Sequence, residues 1–161
     1  MGTGLHSFSR SNAPVKLPQR ACRARDLDRF IFHQGATGFL MGGFAVRNKS
    51  ASACRIGGLP RLVIFEPDGR RVPIDVRLSD GYHTPTTPPV RALDPGEDAN
   101  VPIAWSDYCQ RRLRAPLTYR MTFRAGPSVT AKTDAATGSC ITQGHSAGLV
   151  QVTILSRPIP N

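Results

Sequence analysis

Residues 117–126 read LTYRMTFRAG, and the alternation in this stretch limits what the chain can become. Side chains of an extended backbone point to opposite faces in turn, so Leu117, Tyr119, Met121 and Phe123 share one side and Thr118, Arg120, Thr122 and Arg124 the other. That pattern predicts a half-buried strand with one apolar and one basic face. NVPIAWSD likewise places Val101, Ile103 and Trp105 on one face, and GLVQVTILS does so for Val150, Val152 and Ile154; these are core candidates. Further strands fit 24–32, 38–48, 61–66 and 71–77. Asp68-Gly69 reads as a hairpin turn between the last two, and Pro73 marks the last as an edge strand. Short β-branched and aromatic segments separated by Gly, Pro, Asn and Asp predict an all-β fold.

A chain of 161 residues is long enough for one domain with one core. Residues 1–21 are polar and proline-punctuated and read as a flexible arm or linker, and 22–161 as the domain. The longest irregular stretch, SDGYHTPTTPPV at 79–90, is a candidate functional loop or a cover for a sheet edge. No run approaches the roughly 18 apolar residues that span a bilayer, so no transmembrane segment is expected. A lipid anchor would have to come with a precursor segment.

Cys22, Cys54, Cys109 and Cys140 stand in no C-x-x-C and at no zinc-ligand spacing, which favours disulfides over a structural metal. The near-equal gaps favour the pairs Cys22–Cys54 and Cys109–Cys140, each closing two neighbouring strands. In the chain-entropy account, closing a loop of this length contributes about 3.7 kcal/mol. Disulfides imply an oxidising compartment.

The formal charge is +10, with arginine clusters at Arg20, Arg23, Arg25 and Arg29 and at Arg111, Arg112 and Arg114. Such a balance attracts anionic partners. No zinc finger, RNP motif or basic region accompanies it, so specific nucleic-acid binding is not expected. GHSAG at 144–148 fits the G-x-S-x-G elbow of hydrolases, but an elbow serine needs a helix after it, whereas LVQVTIL reads as a strand. No His, Asp or Glu follows Ser146 either. His6, His33, His83 and His145 lie in separate segments away from the methionines, so neither metal nor other cofactor is expected. Asn48-Lys49-Ser50 is formally a glycosylation acceptor.

NKSASACRIGGLPRLVIFEPDGRRV resembles the asparagine, cysteine, Gly-x-Pro and Asp-Gly series of domain-of-unknown-function family 4232, secreted actinobacterial sandwich domains, and LDPGEDANVPIAW resembles their later Pro-Gly and Trp segment. Cys22, a cysteine after the tryptophan and another before the final strand are also similar. Leu59 stands where an aromatic is commoner in that family. The resemblance implies an immunoglobulin-like antiparallel β-sandwich of about seven or eight strands with two disulfides. It implies an extracytoplasmic domain with no catalytic residues to carry over.

Two functions are thereby expected to compete. One is a non-catalytic module of the cell envelope that recognises a protein or wall polymer through loops bearing Tyr82, His83 and Tyr108. The other is a polyanion binder that engages wall polymer, lipid headgroups or nucleic acid through its basic faces. A serine hydrolase at GHSAG is the remote third.

Overall fold

A short 3-10 turn at Ala24–Asp26 opens the fold, where Asp26 accepts the backbone N–H of Arg23 at 3.0 Å. The strands follow as β1 (Leu27–Ala36), β2 (Phe39–Asn48), β3 (Cys54–Gly57), β4 (Pro60–Phe65) and β5 (Asp75–Ser79). After them come β6 (Val90–Leu93), β7 (Asp98–Ser106), β8 (Leu117–Phe123), β9 (Ser128–Thr133) and β10 (Leu149–Thr153). This computed structural model describes residues 16–36, 39–79, 90–106, 113–134 and 149–153. Among them there is no α-helix, and no helix long and apolar enough to cross a membrane.

The strands form a five-stranded sheet in the order β1-β2-β7-β10-β5, a three-stranded sheet β4-β8-β9, and the pair β3-β6. All named pairs are antiparallel except one: β10 runs parallel to β5, with Val150 opposite Val76. The purely antiparallel expectation is corrected at that pair. So is the hairpin expected between 61–66 and 71–77. The chain does turn at Asp68-Gly69, and Val72 N–H still reaches Ile64 O at 2.9 Å. Only a Phe65–Arg71 bridge forms, however, before Pro73, which has no N–H to donate, and the chain then crosses to the other sheet as β5. β5 is nonetheless an edge strand. The expected strand at 24–32 begins only at Leu27, because Ala24–Asp26 is the helical turn.

On β7 and β8 the alternation read from the sequence is the alternation of burial; the burial of Val150 and Val152, and Ile154 altogether, lie outside what is described. Leu117, Tyr119, Met121 and Phe123 are buried on β8, as are Val101, Ile103 and Trp105 on β7. With Phe44, Val46, Leu62 and Ile64 they make one apolar core shared by the two larger sheets. Each such large side chain contributes about 1.5–3 kcal/mol on leaving water.

The connection from β2 to β4 is built from local hydrogen bonds. Asn48 is fully buried, and its side-chain N–H groups donate to Leu93 O and Ser52 O at 2.9 Å each, while its Oδ1 accepts Ser50 N–H at 3.0 Å. A buried amide so occupied offers no acceptor for a glycan in the folded chain. Gly58 takes φ +77 where a Cβ would stand 2.9 Å from Arg124 Cβ, so only glycine fits before Pro60 opens β4.

Candidate functional site

Cys22 and Cys54 form the expected disulfide, with Cα atoms 4.9 Å apart, and both are buried. The bond lies beside the Ala21–Arg55 bridge and is reinforced by Cys22 N–H to Arg55 O at 2.9 Å, so it joins the segment before β1 to β3. A disulfide here is consistent with an oxidising, extracytoplasmic setting. Cys109 and Cys140 lie outside the described residues, as do Tyr82, His83, Tyr108, His6, His145 and Ser146. What directly follows GHSAG is the strand β10, as expected.

The first arginine cluster is partly structural. Arg20 pairs with Asp26 and donates to Ser50 Oγ and Ser52 O at 3.1 Å each, and Arg29 donates to Ala24 O at 3.2 Å. Of the second cluster, the Arg114 backbone N–H donates to Glu66 at 3.2 Å, while Arg111 and Arg112 lie outside the described residues. Glu66 is buried and held by the Arg70 guanidinium, which with the Arg114 N–H keeps its carboxyl below the usual carboxylate range.

His33 faces inward from β1 against Tyr119, with ring centroids 5.6 Å apart. Both imidazole nitrogens and the Tyr119 hydroxyl are buried without a hydrogen-bond partner. Burial lowers the His33 pKa and raises that of Tyr119. Among the described residues no group of three His, Cys, Asp or Glu side chains gathers as a metal site.

The outer faces of the two larger sheets differ sharply. On the five-stranded sheet, Phe30, Phe32 and Met41 are 43%, 47% and 55% exposed. The register pairs Phe32 with Gly43 and Gln34 with Met41, so the three share the outer face, and the Phe32 ring stands over Gly43, where a Cβ would meet its Cζ at 2.8 Å. Charges near this face are matched: Arg47 pairs with Asp98 at 2.6 Å and Lys49 with Asp28 at 2.9 Å.

On the three-stranded sheet the outward positions of the strands are cationic and carry no carboxylate, although exposed Asp134 follows just past β9, two residues after Lys132. β4 presents Arg61, Val63 and Phe65, β8 presents Thr118, Arg120 and Thr122, and β9 presents Ser128, Thr130 and Lys132. Arg71, opposite Phe65, and Arg124, just past β8, extend it. Among the described residues none of these five exposed cations makes an ion pair. Arg120 lies over the Phe65 ring at 4.7 Å, and Thr122 and Ser128 hydroxyls meet at 2.9 Å. A groove of about 460 Å³ lined by Leu59, Arg61, Arg71, Ile74, Asp75 and Val76 opens at the β4 side of this face, so one carboxylate stands beside Arg61 and Arg71 there.

Sequence reasoning saw the basic side of β8 but neither Arg61 nor Lys132 as its neighbours. No family model matches the chain, and no curated protein matches it.

Proposed function

We propose that this chain is a non-catalytic, immunoglobulin-like β-sandwich module that works outside the cytoplasm, secreted or attached to the cell envelope, and acts by binding a protein or wall polymer. The observation that carries the reading is the exposed group Phe30, Phe32 and Met41 on one sheet face. Large apolar side chains gathered on a rigid surface mark interaction sites, since each leaves water only when a partner covers it. Support also comes from the Cys22–Cys54 bond and from the resemblance of the segment around Cys54 to secreted sandwich domains. Tyr82, His83 and Tyr108, which lie outside the described residues, would add amphipathic contact surface. A second reading, polyanion binding, is favoured by the cationic face of β4, β8 and β9.

Immobilised protein exposed to envelope extract tests the first reading. Phe30→Ser combined with Met41→Ser is expected to abolish retention of a protein that the wild type holds, with an unchanged melting temperature. Full retention by that double variant overturns the assignment of the face, and a fluorophosphonate probe that labels Ser146 overturns the non-catalytic reading.

A further inference from the structure

We infer that the outer face of β4, β8 and β9 binds a linear polyol phosphate, a chain of hydroxyl-bearing units joined by phosphodiesters, along a diagonal defined by Arg61, Arg120 and Lys132. This rests on the second reading, polyanion binding by the cationic face, and adds the ligand and its track.

The pairing register sets the track. Arg61 lies opposite Thr122 and Lys132 opposite Thr118, with Arg120 midway between those two on β8. Each step along the line crosses one strand and advances two residues, which places neighbouring Cα atoms ~8 Å apart. Anionic groups that recur along an extended polymer at that interval meet one cation each. No Asp or Glu stands on any of the three strands; the nearest carboxylates are at the two ends of the line, Asp75 in the groove beside Arg61 and Asp134 past Lys132.

Three features select the chemistry. Arg120 is laid over Phe65 at 4.7 Å, which fixes the guanidinium plane and leaves its N–H edges for a two-pronged contact with phosphate oxygens. Hydroxyls flank the line: Thr122, with Val63, beside the step from Arg61 to Arg120, and Thr118 and Thr130 beside the step from Arg120 to Lys132, where they can donate to and accept from the hydroxyls of a polyol. Phe65, the aromatic side chain on this face, is covered by Arg120, so the strands present no bare aromatic ring of the kind on which single-stranded nucleic-acid binders stack successive bases.

The test is titration calorimetry with a glycerol phosphate oligomer, with a single-stranded oligonucleotide and poly-glutamate of similar charge as parallel arms, each at several salt concentrations. Wild type is expected to bind the glycerol phosphate oligomer most tightly. Replacing Arg61, Arg120 and Lys132 together with Ala should weaken binding by about tenfold or more and reduce the slope of log K against log salt by about 2. Arg25→Ala with Arg29→Ala and Lys49→Ala removes the same charge elsewhere and should change affinity less than about twofold. Arg120→Lys, which keeps the charge and cannot alter the fold through charge loss, should weaken binding severalfold with the slope unchanged.

Equal losses in the two triple variants would mean diffuse attraction and overturn the track. Equal or tighter binding of the oligonucleotide or of poly-glutamate overturns the ligand class. Absence of glycerol phosphate binding by the wild type overturns the inference as a whole, while retention of a protein through Phe30 and Met41 would leave the module reading standing.

Discussion

At the scale of single residues, His33 is the side chain whose chemistry and surroundings disagree. Its imidazole is buried beside Tyr119 with neither nitrogen hydrogen-bonded, and burial holds its pKa below the ordinary 6.5. The folded state therefore binds this proton less readily than the unfolded state does. Stability from His33 is intact above about pH 6.5 and is lost as the pH falls through and below that value, at up to about 1.4 kcal/mol per pH unit. Asp26, Glu66 and Asp98 act in the same direction lower on the scale. Their carboxyls are held down chiefly by the Arg23 N–H, Arg70 and Arg47, so their contribution falls only as the pH drops through the carboxylate range. Thermal melts of wild type should show a fall as the pH drops below about 6.5 that is absent from His33→Phe. Parallel profiles for the two proteins would show that His33 takes its proton without opening the core. The sequence placed His33 between strands and weighed it as a metal ligand or a partner of Ser146, because nothing in FIFHQG reveals that the even-numbered side, with Phe30 and Phe32, faces out while histidine faces in.

At the scale of elements, legibility followed side-chain size and strand length. β8 and β7 were readable because large apolar residues alternate along them for seven and nine residues. β9 was missed because its buried side chains are only Val129 and Ala131, and β3 and β6 because four residues are too few to show a period. The parallel β5–β10 pair was unreadable for another reason: it joins segments far apart in the chain, and the local turn signal at Asp68-Gly69 pointed to a nearer partner. The glycine pair in β2 was visible but unexplained. A Cβ on Gly42 would stand 1.9 Å from the Phe32 carbonyl oxygen, backbone that cannot move without parting β1 from β2. Gly42→Ala is therefore expected to cost about 2–4 kcal/mol in urea denaturation. Gly69→Ala, whose Cβ meets nothing within 4 Å although its φ is +82, should cost only about 1 kcal/mol. Equal costs would mean that β1 adjusts freely along β2.

At the scale of the whole molecule, the candidate surfaces are products of long-range pairing. Arg61, Arg120 and Lys132 are scattered in the sequence and meet only because β4 and β9 flank β8 in one register. Composition alone gave the charge without its address. The same distance argument governs the disulfide. Cys22 and Cys54 are 32 residues apart, and the loop they close contains the whole of β1 and β2, the edge half of the five-stranded sheet. Cutting this link frees the unfolded chain more than it disturbs the folded one, so the cost of Cys22→Ser with Cys54→Ser should be about 3–4 kcal/mol. Both cysteines are 3% exposed or less, and the segment leading to Cys22 is pinned by Arg20 to Asp26 and by Arg55 N–H to Arg20 O at 2.8 Å. A thiol reductant must therefore wait for that segment to open, and reduction should track opening rather than reductant concentration. Mass spectrometry of free thiols during incubation with dithiothreitol is expected to show Cys22 and Cys54 protected in buffer and reduced promptly in urea. Rapid reduction in buffer would mean that the segment before β1 detaches without unfolding the sheets, and the double serine variant would then lose far less than the stated stability.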